Sequence, residues 1–214
     1  MKEGGGDGHP ADLALTSEHV RDGVKAYNER FASLEVELHG IARDAQEALS
    51  EGSRGGDVVL RFARKVNAWG RIRASSGTWP MARDAVEALP WNDLRQLDRE
   101  FTDGRADLVV DLCEQVVAGI RERGGRRREY SYTSKMLHWL WPEQVPVNDT
   151  YVREVFLGID GQGREPYRQL VLWTFQRARE LEPFESDVVG DVPPRTLLRA
   201  IDKAVWWDVD QARP

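Results

Sequence analysis

The residues best placed to do chemistry are Lys135 and Asp149, 14 positions apart in the segment YSYTSKMLHWLWPEQVPVNDTYVREVF, residues 130–156. Leu137, Trp139, Leu140 and Trp141 follow the lysine, and an amine held beside apolar surface is the setting in which this side chain serves as a nucleophile. Asp149 follows a VPVN stretch, where a carboxylate can stabilise developing positive charge or accept a proton. The same residues admit a plainer reading. The lysine stem would lie on apolar surface with its ammonium in water, and the aspartate would only cap a helix, worth about 0.5–2 kcal/mol.

These side chains must be held by elements. Trp141-Pro142 interrupts the segment, because proline cannot continue a helix. The spacing therefore predicts a helix with Lys135 near its start, a short loop, and a second helix beginning at Asp149.

The run S-K-x-L-x-x-L-x-P (Ser134, Lys135, Leu137, Leu140, Pro142), followed by V-P-V-N-D-T-Y-V at 145–152, resembles the signature region of helix-hairpin-helix DNA glycosylases. It is most similar to the 8-oxoguanine glycosylase, or OGG-fold, branch. The resemblance implies two packed helical subdomains, Lys135 and Asp149 as catalytic residues, double-stranded DNA with a modified base as partner, and no metal or organic cofactor. It implies excision of a flipped base, with or without an abasic-site lyase step. There are departures. No glycine precedes Lys135 where that family has a hairpin, Asn148 is extra, Tyr151 stands where histidine is common, and the Lys-to-Asp interval is short. They mark a divergent branch, suited to an unusual base such as those phages place in their DNA, and hence to phage defence.

Further DNA contacts follow from the same resemblance. The N-A-W-G-R-I run at 67–72 resembles an element whose Asn and Arg enter the gap left by a flipped base, which nominates Asn67, Trp69 and Arg71. Arg126, Arg127 and Arg128 precede the central segment in a stretch, 121–135, with six basic residues against two acidic. Together with Ser134 they become candidate phosphate contacts. Trp139, one turn beyond Lys135, is the candidate wall on which the extruded base stacks.

Composition sets outer limits. The chain has 214 residues, net charge −6, 41% apolar and 31% charged residues, which suits a globular protein and argues against indiscriminate nucleic-acid binding. The single cysteine, Cys113, lies in the apolar run LVVDLCEQVV and reads as a buried structural thiol. No apolar stretch reaches 18 residues and no signal peptide is evident, so a cytoplasmic monomer without membrane contact is expected.

Residues 1–15, with GGGDGHP, read as a flexible tail, and 16–214 as a single helical domain with its catalytic segment at 126–157. Apolar spacing predicts helices over 16–49, 58–73, 81–89, 91–101, 106–123, 167–181 and 195–207. The SSGTWP turn falls between the second and third of these. No run alternates long enough to form a strand, so the fold class is all-α. GIDGQGREP reads as a surface loop, His19 and His39 as surface or edge residues, and Trp206-Trp207 as packing for the last helix. A non-catalytic helical DNA-binding module, or a protein-interaction domain, is the alternative that these residues leave open.

Overall fold

The computed structural model describes residues 15–51, 56–70, 77–94, 99–124 and 130–211. Every element in them is helical, as the absence of alternating runs predicts. Residues 1–14 of the tail expected over 1–15, Arg71, and Arg126 to Arg128 lie outside the described residues, while Leu15 is buried in the core.

Helix α1 (Ser17–Ser50) is the spine of the molecule. Thr16 caps it, its hydroxyl accepting the His19 N–H at 3.2 Å. Val20, Val24, Tyr27, Leu38, Ile41, Ala45 and Leu49 turn one stripe inward, against α9 (Leu197–Gln211) and α2 (Gly56–Trp69). The α1–α9 approach depends on Gly23, where an added Cβ would lie 2.8 Å from the Ala204 Cα.

Helix α3 (Thr78–Glu87) begins inside the predicted SSGTWP turn. Pro80 occupies its first turn, where a missing N–H costs nothing, so the proline opens this helix instead of ending a loop. The helix predicted over 91–101 is much shorter. Here α4 covers Trp91–Leu94 and residues 99–102 are not helical. Thr102 instead caps α5 (Asp103–Glu122), accepting the Arg105 N–H at 3.2 Å. Helix α5 packs on α3 and on α7 (Arg164–Leu181), and α7 in turn on α9. The short α8 (Glu185–Val188) lies against α1.

Helix α6 (Tyr130–Leu140) fits between α5, α1 and α2, and every one of its residues except Ser131 is buried. It starts earlier than the sequence predicts. Tyr130 and Tyr132 are buried anchors, the Tyr132 hydroxyl donating to the Ala63 carbonyl at 2.8 Å and the Tyr130 ring meeting Tyr167 edge-on at 6.2 Å. Their burial carries the helix back through 130–134. Lys135 therefore sits in mid-helix, and the slot of the expected hairpin is itself helical.

Candidate active site

The VPVN loop is fastened to the body at three points. His138 donates from Nδ1 to the Val145 carbonyl at 2.7 Å, the Tyr167 hydroxyl donates to the Pro146 carbonyl at 3.0 Å, and Ser134 Oγ accepts the Asn148 N–H at 2.9 Å. A carbonyl can only accept, so the His138 proton is on Nδ1. Burial and the nearby Arg199 charge push this histidine down to about 3, so it stays neutral at working pH.

That anchoring aims Asp149 back at α6. Its Oδ2 lies 3.2 Å from Lys135 Nζ, while Oδ1 accepts the N–H groups of Tyr151 at 3.0 Å and Val152 at 3.3 Å. The two readings of this aspartate are thus compatible, because one oxygen caps the helical turn that opens at Thr150 and the other meets the amine. Burial alone would raise the Asp149 carboxyl. The Lys135 ammonium and the two backbone donors outweigh it and hold the carboxyl below its ordinary value.

Both side chains line a cavity of about 250 Å³. Tyr27 and Phe31 of α1, Trp69 of α2 and Trp206 of α9 supply aromatic surface, and Arg199 and Asp202 of α9 supply charge. The volume lies just under the roughly 300–1,000 Å³ of sites for drug-sized ligands, a scale suited to one planar heterocycle. Lys135 Nζ stands 6.0 Å from the Trp69 ring centroid, and the Arg199 guanidinium 5.0 Å from the same ring.

A buried ion cluster supports this wall. Glu35, fully buried on α1, receives Arg199 through both oxygens, Trp69 Nε1–H at 3.1 Å, the Tyr27 hydroxyl at 3.3 Å and Lys203 Nζ at 3.5 Å. Lys203 also donates to Asn28 Oδ1 at 2.8 Å, and Arg199 reaches Asp202. Burial opposes the charge on Glu35, yet Arg199 and Lys203 hold its carboxyl low. Burial, then the Arg199 charge, push Lys203 down to about 8. Asp202 goes the other way. Burial raises it to about 6 against the pull of Arg199, with Asp149 adding to the rise.

Of the residues proposed from sequence, Lys135, Asp149 and Trp69 meet at the cavity. Asn67 is half-buried on α2. Ser134 is fully buried and braces the loop, donating to the Ser131 carbonyl at 3.1 Å, so it is placed to hold Asp149 and not to touch a phosphate. Trp139 is not a cavity wall. It is 1% exposed and packs edge-on behind Trp69 at 5.4 Å, which leaves Trp69 as the aromatic surface on that side. Trp206 packs on Tyr27 and Phe31, as the terminal-helix reading expects, and also faces the cavity.

Sequence reasoning misses the α9 contribution, although a signal is there. Arg199, Asp202, Lys203 and Trp206 follow the i, i+3, i+4, i+7 spacing of one helical face. Glu35 likewise interrupts the inward stripe of α1 between Tyr27 and Leu38. Among the described residues no group of three or more His, Cys, Asp or Glu could hold a metal ion, and no helix is long and apolar enough to cross a membrane. No family model, curated protein or solved structure matches this chain.

Proposed function

We propose that this protein is a DNA glycosylase with abasic-site lyase chemistry, a divergent relative of the OGG-fold enzymes, acting on a modified base in double-stranded DNA. The observation that carries the reading is the Lys135–Asp149 pair, 3.2 Å apart at a cavity with aromatic walls and the scale of a single base.

The chemistry follows from those groups. A flipped nucleotide costs a few kcal/mol of unstacking, least for a damaged or poorly paired base, and Trp69, Tyr27, Phe31 and Trp206 offer flat surfaces to repay it. As the C1′–N bond breaks, its electron pair leaves with the base and positive charge builds on the sugar, where the Asp149 carboxylate opposes it. Lys135, once it has lost its proton, attacks C1′ and forms the Schiff base that leads to strand cleavage. An unusual modified base, such as those in phage DNA, suits a chain that departs from the OGG pattern around Asn148 and Tyr151.

Borohydride tests this directly. With duplexes containing modified bases or an abasic site, the wild-type protein is expected to give a reduced covalent adduct. Lys135→Ala abolishes the adduct, and Asp149→Asn slows base release by on the order of 10²–10³. Base release without any adduct would mean a monofunctional glycosylase. If neither base release nor adduct is seen with any duplex, the chain is a non-catalytic binding module.

A further inference from the structure

The cavity holds a second carboxyl group that the Lys135–Asp149 pair does not use. We propose that Asp202 is the base that removes the C2′ proton in the strand-cleaving step, an inference that rests on the lyase reading above. The two aspartates differ in what their oxygens are free to do. Asp149 is committed on both sides, to Lys135 through Oδ2 and to two backbone donors through Oδ1. Asp202 is held by Arg199 through Oδ2, and its Oδ1 accepts no hydrogen bond among the described residues. It enters the cavity from α9, a different wall from the one carrying Lys135 and Asp149. A clamped carboxylate with one free oxygen, lining the same cavity as the amine that would form an iminium, is the kind of group that proton abstraction from the adjacent carbon requires.

The step balances without any outside reagent. The Lys135 amine condenses with the C1′ aldehyde of a ring-opened abasic sugar and expels water, leaving a C1′=N⁺ bond that acidifies the C2′ hydrogens. Asp202 takes one C2′ proton. The C–H electron pair becomes a C1′=C2′ bond, and the C=N π pair moves to nitrogen. The nitrogen pair then re-forms C1′=N⁺, the C1′=C2′ pair shifts to make a C2′=C3′ bond, and the C3′–O pair leaves with the phosphate, so the new double bond is conjugated to the iminium.

The surroundings set the pH at which this can happen. Arg199 and Lys203 of its own helix, Glu35 and Tyr27 of α1, Lys135 of α6 and Asp149 of the loop all act on Asp202 or are acted on by it. Their sum, with burial, puts its carboxyl at about 6. The group is ionised and able to take a proton above that pH and loses the ability below it. Cleavage should rise as pH increases through about 6, then level off.

A duplex with one abasic site separates the steps, because adduct formation and strand cleavage are read independently. Wild-type protein should give both. Asp202→Asn should keep the borohydride-trapped adduct, which also reports a folded protein, while cleavage falls by on the order of 100-fold and its rise through pH 6 disappears. Wild-type cleavage by Asp202→Asn would overturn the inference, as would loss of adduct and cleavage together, which makes Asp202 part of the scaffold. A wild-type protein that forms the adduct but never cleaves overturns this inference alone. A wild-type protein that forms no adduct overturns the lyase reading and this inference with it.

Discussion

A single glutamate carries much of the cavity wall. Glu35 and Arg199 are 0% and 1% exposed, and Lys203 is 1% exposed, so Glu35 faces two cations out of reach of water, with Asp202 on Arg199 as the second negative charge. Removing one partner leaves the others buried and uncompensated, a larger effect than the net worth of the pairs themselves. Glu35→Ala is expected to cost about 3–5 kcal/mol, read as a shift in the urea unfolding midpoint. A loss below about 1 kcal/mol would mean that Arg199 and Lys203 find water or other partners, and that the cluster does not hold the wall.

At the level of elements, the cavity exists because four helices, α1, α2, α6 and α9, and one loop meet with fixed spacing. The α1–α9 contact sets where Arg199, Asp202 and Trp206 stand, and Gly23 permits that contact by keeping its surface flat against Ala204. Gly23→Leu must push α9 away. We expect a loss of about 1–3 kcal/mol in thermal or urea unfolding. At Gly40, on the same helix, an added Cβ would meet nothing within 4 Å, so Gly40→Ala should instead stabilise by about 0.5–1 kcal/mol. Equal effects from the two substitutions would show that close helix approach is not what Gly23 provides.

Over the whole molecule, net charge and local charge pull in opposite directions. Under the proposed glycosylase reading, a chain at −6 would repel DNA at long range, and the arginines of 121–128 and of α2 are the residues the sequence offers to attract phosphate. Binding carried by a few such contacts releases counterions, so affinity for an abasic-site duplex should fall on the order of 10- to 100-fold between about 50 and about 200 mM salt. Fluorescence anisotropy measures this. An affinity that is flat across the series would direct attention to a protein partner.

The sequence by itself determined the helical class and most of the helices, because those depend on local rules, while the pairing of Lys135 with Asp149 as candidates came from resemblance to a known segment. Periodicity, a cap such as Thr16, and the Trp141-Pro142 break act within a few residues, whereas the T-D-G run at 102–104 reads as a turn and opens α5 in the structure. The sequence misled where long-range packing overrode local preference, at the early start of α6, the opening of α3 and the place given to Trp139. Only the tertiary structure decided that Trp69 and Trp206 form the cavity walls, and that Asp202 faces the same space as Lys135. Glu35 and Arg199 are 164 positions apart, and no local pattern states which buried charge will meet which. That choice belongs to helix packing, where burial makes each ion depend on a partner brought from the other end of the chain.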